Sequence, residues 1–339
     1  MTRVRALLKR ARNQWRNRPF WLLPALCYLL SFLSTTAVGV YFYGDGQLLR
    51  GLLFSVPLMT ILTCHELGHF LQVKKYRVPA SLPYFLPSPL PPLGTFGAII
   101  IMRGNTPDRR ALFDVGVSGP LAGLVVTLVF LVLGMALSHV QEVGALELPN
   151  DIPGYFEFGE PLILQWVAKL ILHYDPQRHE ILMHPLASAA WVGLLLTTLN
   201  LFPVSQLDGG HVFYALLRKN AYIVSKLLYF TACVAVVLTN SWNWALLLLL
   251  ILFAKLRHAP TQNDNVPLGV TRVILGWATL AFILVGFTPN PLAYRDNPNY
   301  SPNATQQSIL SDNANQDPDV FNNNELDLSV QARSNAPLE

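Results

Sequence analysis

The stretch His65-Glu66-Leu67-Gly68-His69 sets two imidazoles four residues apart with a carboxylate between them. On a helix, positions i and i+4 share one face about a turn apart, so both rings can converge on one ion. Zinc takes imidazole nitrogen at about 2.0–2.1 Å. Glu66 lies about 100° round the helix from His65, near enough to contact a water at the metal without being a natural ligand. This is the H-E-x-x-H arrangement of zinc hydrolases, with the glutamate as general base. Its setting sharpens the reading, because "ILTCHELGHF" is otherwise apolar. An acid near the middle of a membrane span costs about 2.5–3.5 kcal/mol, so such residues usually serve a function. A satisfied polar cluster, or a proton or ion relay, is the competing use.

The elements that must carry this triplet are membrane spans. The chain has 339 residues, 52% hydrophobic and 13% charged, against about 25% charged in an ordinary soluble domain. Apolar runs long enough to cross a bilayer fall at about 20–43, 50–73, 113–137, 186–203, 222–239, 241–255 and 270–288. The sequence predicts an all-α polytopic membrane protein of about six to seven transmembrane helices. Residues 1–19 carry seven Lys or Arg and no acid, a basic cytoplasmic flank under the positive-inside rule rather than a nucleic-acid arm. Residues 20–49 read as the first transmembrane helix and a short outer loop. A cleaved signal peptide fits less well, since this run exceeds a signal core and no small-residue cleavage site is evident. Cys27, Cys64 and Cys233 all lie in apolar runs, which argues for small buried side chains and against a disulfide framework.

With the N-terminus inside, the second span returns to the cytoplasm at "KKYR", residues 74–77. Residues 79–102 are apolar but rich in Pro and Gly, a poor helix. Irregular backbone survives at membrane depth only when buried in protein or lining a wet cavity, so this reads as a re-entrant segment. The outer loop 139–185 holds seven acids against Lys169 and Arg178, and "PLILQWVAKLILHY" within it suits an amphipathic interfacial helix. Residues 223–290 read as C-terminal transmembrane helices. The Asn-, Asp- and Ser-rich tail, 291–339, reads as disordered.

A catalytic zinc usually has three protein ligands and one open position. Asp108, Asp114, Asp208 and Asp264 lie on the cytoplasmic side with the motif. Asp208 stands out within "NLFPVSQLDGG": Pro203 ends or kinks the fourth span, Gly209 and Gly210 allow close backbone approach, and Asn200 offers a donor and an acceptor. Asp114 is the main rival, better read as a helix cap. Asp264 reads as part of a solvated loop, and His211 as an exposed histidine near the membrane surface.

His65-Glu66-Leu67-Gly68-His69 followed far downstream by Asn200, Pro203 and Leu207-Asp208-Gly209 resembles the site-2 protease family of intramembrane zinc metalloproteases. "GTFGAII", 94–100, looks like that family's re-entrant loop, and "SGPLAG", 118–123, like the start of its third core helix; a likeness to the plastid and cyanobacterial branch is weaker. The resemblance covers roughly residues 50–215. It implies one zinc ion held by His65, His69 and Asp208, with Glu66 as base, in a protease core at 50–222 built on three spans. No PDZ-like insertion and no nucleotide-binding regulatory domain is visible.

The expected reaction is hydrolysis of peptide bonds within or near transmembrane segments, the chemistry of regulated intramembrane proteolysis. Asn200 is a candidate for holding the substrate backbone, and Gly94, Thr95, Phe96 and Gly97 for pairing with an unwound substrate as a strand does. Expected partners are single-span membrane proteins or membrane-retained peptides and the lipid bilayer, with no nucleic acid. The expected site is a bacterial inner membrane, with the active site near the cytoplasmic side. An inactive membrane scaffold, and a transporter using Glu66 and Asp208 as an ion site, are the alternatives; no paired repeat supports the latter.

Overall fold

A computed structural model describes residues 21–43, 46–102, 106–143, 153–204, 206–253, 260–297 and 300. The basic segment 1–19 and the tail from 301 onward lie outside the described residues. Helix α1 (Leu22–Val38) runs into a π-helical turn, Gly39–Tyr43, and α2 spans Leu48–Lys75. Strands β1 (Tyr84–Pro87) and β2 (Thr95–Ile99) precede α3 (Arg109–Ala136). Then come β3 (His139–Glu142), β4 (Gly154–Phe158), α4 (Leu162–Leu172), β5 (His179–Leu182) and α5 (Pro185–Asn200). The chain continues through α6 (Asp208–Leu217), α7 (Asn220–Leu238), α8 (Ala245–Phe253), α9 (Val270–Ala281), the short α10 (Ile283–Gly286) and β6 (Leu292–Asp296).

Among the described residues, four helical stretches are long and apolar enough to cross a bilayer: Leu22–Tyr43, Leu48–Lys75, Arg109–Ala136 and Asn220–Leu238. The other three expected spans are shorter over their described residues. Helix α5 has 16 residues and stops at Asn200, three before Pro203. The sixth opens on a 3-10 turn, Trp242–Trp244, and its described helix, α8, has nine residues. The seventh divides at Phe282 into α9 and α10. The all-α expectation also needs amending, because three two-stranded sheets are present.

The chain forms two compact units. The first comprises residues up to Val143 together with Glu160–Pro291. At its centre α2, α3 and α5 pack against one another. Helix α5 is enclosed on nearly all sides: twelve of its residues, Trp191 included, are buried. Helix α3 starts earlier than the apolar pattern indicates, because Asp108 caps it by accepting from the Ala111 amide at 2.8 Å. Asp108→Ala should cost about 1 kcal/mol of stability, the usual worth of an N-cap, read as a small drop in thermal midpoint in detergent.

Residues 79–102 contain no helix. They form an antiparallel hairpin in which Tyr84 faces Ile99 and Phe85 faces Ala98, extended by an Ala80–Met102 bridge. Helix α1 holds it. Ser34 Oγ donates to the Ser88 carbonyl at 2.6 Å, Tyr28 meets Phe85 edge-on, and Tyr43 Oη donates to the Pro92 carbonyl at 3.0 Å. The described residues of 139–185 are more structured than expected of a loop. The amphipathic segment is a helix, α4, with Leu164 and Ala168 turned inward and Trp166 and Leu170 exposed. Strands β3 and β5 pair antiparallel on either side of it in sequence.

The second unit comprises Gly144–Gly159 and the chain from Leu292 onward. In it β4 pairs antiparallel with β6, Gly154 facing Asp296 and Phe158 facing Leu292. Phe156 meets Tyr294 edge-on, and Arg295 Nε donates to Glu157 Oε2 at 2.5 Å. The first described residues of the tail are thus a strand rather than disordered chain.

Candidate metal centre

His65, Glu66 and His69 sit on the buried side of α2, at 4%, 6% and 8% exposure. The facing surface is the first half of α3, where small residues recur. At Gly119 a Cβ would lie 2.0 Å from His69 Nε2, so only glycine leaves room for the ring. His69 Nδ1 lies 2.8 Å from the Val115 carbonyl. That contact puts the proton on Nδ1, leaving the Nε2 lone pair for the cluster.

Asp208 reaches the same point from the head of α6. After α5 ends, the backbone turns back on itself, the Val204 amide donating to the Phe202 carbonyl at 2.8 Å. Ser225 Oγ of α7 fastens the Pro203 carbonyl at 2.6 Å. Gly209 is required here, since a Cβ would stand 1.8 Å from the Leu201 carbonyl oxygen. The turn aims the Asp208 carboxylate at the histidines. Oδ2 lies 3.1 Å from His65 Nε2 and Oδ1 lies 3.3 Å from His69 Nε2. The two Nε2 atoms are 3.1 Å apart.

These distances test the fit of a metal. Ligands at about 2.0–2.1 Å from a tetrahedral zinc stand about 3.4 Å from one another. The three observed spacings are close to that edge length, and two imidazoles with one carboxylate are a zinc-type donor set. Among the described residues this is the group of three or more His, Cys, Asp or Glu side chains that could hold an ion. No hydrogen bond or ion pair engages the Glu66 carboxylate among the described residues.

The remaining sequence-derived candidates fall differently. Asn200 is half-buried in the last turn of α5, and among the described residues nothing hydrogen-bonds its side chain. In the hairpin Thr95 is fully buried and donates to the Leu86 carbonyl at 2.8 Å, while Gly94 presses on Thr35 of α1. Phe96 is exposed, and a Cβ at Gly97 would meet open space. Among the described residues, the edge of β2 away from β1 pairs with no strand.

The rival acids are engaged elsewhere. Asp114 is not a cap; it sits inside α3 and binds Tyr76 and Arg272. Burial alone would raise the Asp264 carboxyl, but hydrogen bonds from Thr261 and Tyr214 hold it below the usual carboxylate range. It is a docked residue, not a solvated one. His211 is buried, its Cβ packed against Gly116. Sequence reasoning missed Gly119 and the Val115 carbonyl. The signal was small residues at 116, 119, 122 and 123, which line one face of a helix at i, i+3 and i+7.

The family model for peptidase family M50 matches residues 53–239. A protein of Arabidopsis thaliana, probable zinc metalloprotease EGY1, chloroplastic, is 31% identical over 240 residues, covering 69% of this chain and 42% of that protein. The EGY1 protein of Oryza sativa subsp. japonica, under the same description, is 35% identical over 165 residues, 48% of this chain and 28% of its own length. Rice EGY2 (subspecies indica), also a probable chloroplastic zinc metalloprotease, is 28% identical over 241 residues, 69% of this chain and 42% of that protein. The chain thus spans less than half the length of these relatives. No solved structure matches. The matched region takes in more than half the chain and all of His65, Glu66, His69 and Asp208, and the protein belongs to peptidase family M50, the site-2 protease family.

Proposed function

We propose that the protein is an intramembrane zinc metalloprotease that hydrolyses peptide bonds in or beside the membrane-spanning segments of other proteins. One observation carries the reading: three donor atoms from two separate apolar helices stand at mutual distances of 3.1–3.3 Å. His65, His69 and Asp208 would hold the metal. When bound, zinc supplies Lewis acidity toward the scissile carbonyl and acidity to water.

The chain's own residues do the rest. The Glu66 carboxylate takes a proton from the water whose oxygen bonds to the carbonyl carbon. It then delivers that proton to the nitrogen as the C–N bond breaks. The Val115 carbonyl keeps His69 in one tautomer and one orientation. A substrate helix must unwind before its carbonyl is accessible, and its freed backbone groups need partners where water is scarce. The edge of β2 at Phe96 and Gly97, unpaired among the described residues, can supply them by strand addition. Asn200, whose side chain no group engages among the described residues, is the candidate on α5 to hold the substrate backbone.

Substrates in this reading are single-span membrane proteins or membrane-retained peptides. We place the motif toward the cytoplasmic side of a bacterial plasma membrane. Lys74 and Lys75 at the end of α2 and Arg109 and Arg110 at the start of α3 mark one basic end, as the positive-inside rule requires. The relatives named above are chloroplastic, and a chloroplast membrane is the other setting.

The test is cleavage of fluorogenic single-span peptides by the full chain in proteoliposomes, with metal analysis of the same preparation. About one equivalent of zinc is expected, with activity lost to 1,10-phenanthroline and restored by added zinc. A chain that holds no tight metal and cleaves nothing would favour the ion-transport alternative.

A further inference from the structure

Arg272 of α9 lies beyond residues 53–239 that match the family. Its side chain reaches back to α3 in a two-pronged contact, Nε to Asp114 Oδ1 at 2.8 Å and Nη2 to Asp114 Oδ2 at 3.0 Å. Tyr76, just past α2, donates to the same carboxylate at 2.5 Å. Burial, then the hydrogen bond to Asp114, pushes the Tyr76 hydroxyl up to about 12, so it remains a donor at neutral pH. One carboxylate therefore ties α9, α3 and the end of α2 together. A bidentate arginine–carboxylate pair fixes direction as well as distance.

The residues before Arg272 add to the hold. The amides of Gln262 and Asn263 donate to the Thr106 and Pro107 carbonyls, next to the start of α3. Arg110 Nε donates to the Pro267 carbonyl at 2.7 Å. Tyr214 of α6 donates to Asp264 at 2.6 Å. Further along, Gly276 packs on Phe113 and Leu216. The three elements so gripped are those that build the centre. Helix α2 carries His65 and His69, α6 begins with Asp208, and Val115, beside Asp114, supplies the carbonyl that orients His69.

We propose that residues 262–276 form a brace, with Arg272 on Asp114 as its key contact, that aligns the three donor side chains and sets how long the metal is retained. This rests on the metalloprotease reading above. Arg272, Asp114 and Tyr76 are positioning residues in it, acting through Val115 and the end of α2.

The experiment uses the full chain, zinc-loaded in proteoliposomes, and times zinc transfer to excess 4-(2-pyridylazo)resorcinol. Arg272→Met and Asp114→Asn should each release zinc about tenfold faster, the lower end of the effect of outer-sphere changes. The double variant should be no faster than either single one, since both remove the same interaction. Arg272→Lys should fall between, because it keeps charge but loses the fork. Cleavage should lose kcat with KM unchanged. Unaltered release in the single variants, or effects that multiply in the double, overturns the brace. Should Arg272→Met fail to fold, Tyr76→Phe removes one hydroxyl only, and it too must speed release. An unaltered chain that binds no zinc overturns the metalloprotease reading itself; normal zinc with unchanged release in the variants overturns the brace alone.

Discussion

Glu66→Gln should lower peptide hydrolysis by at least about a hundredfold, the lower range for loss of a general base, while zinc content and thermal stability stay at wild-type levels. Glutamine fills the same volume and keeps an acceptor oxygen, but it does not take a proton at neutral pH. Glu66 is 6% exposed and no donor engages it among the described residues. Its replacement by a neutral isostere therefore breaks no ion pair. The measurement is steady-state cleavage of a fluorogenic single-span peptide, run beside metal analysis. Wild-type cleavage by Glu66→Gln would remove Glu66 from the chemistry; lost zinc would instead make it part of the metal's own support. The same variant, with zinc retained, is also the form in which to trap and identify substrates.

The second large effect is expected at a residue that carries no functional group. Gly119→Ala should lower zinc affinity by about a hundredfold, the upper range for disturbing the surroundings of a metal ligand. An added Cβ would stand 2.0 Å from His69 Nε2, 2.4 Å from Cδ2 and 2.5 Å from Cε1. Non-bonded atoms need roughly 3.5 Å, so the ring must move by more than about 1 Å. It cannot do so without leaving the Val115 carbonyl or the cluster, each contact being 2.8–3.3 Å. Gly123→Ala is the internal comparison. Its Cβ would meet His65 Cβ at 3.1 Å, which a small shift relieves. Competition with a chromophoric chelator reads both variants, and circular dichroism reports whether the helices persist. A Gly119→Ala protein with wild-type zinc affinity would mean that α3 does not press on His69 as described.

The two histidines and Glu66 were legible because their relation is written within one turn of one helix. Asp208 was legible at one remove, from Pro203 and the glycines that let the chain turn back. Gly119, Val115 and Arg272 were not, since their roles depend on which faces of separate helices meet. That is a matter of packing, which spacing along the chain does not encode. Asp114 shows how a boundary error propagates. The apolar run starts near residue 113, so Asp114 looked like a cap, but the helix extends through Arg109 and Arg110 to Asp108. His211 was misjudged because α6 lies buried against α3 instead of leaving the core. The spans at 241–255 and 270–288 have the composition of full crossings, yet the first opens on a 3-10 turn at Trp242–Trp244 and the second is broken at Phe282.

The ladder between β4 and β6 has a bookkeeping consequence for insertion of the chain. Five residue pairs join segments more than a hundred positions apart, from Gly154–Asp296 to Phe158–Leu292. Backbone hydrogen bonds of this kind cannot straddle a lipid layer, so both segments occupy one aqueous compartment. Whatever crosses between Phe158 and Leu292 must then do so an even number of times. Any arrangement with an odd count there is forbidden by parity, whichever of the shorter helices reach through.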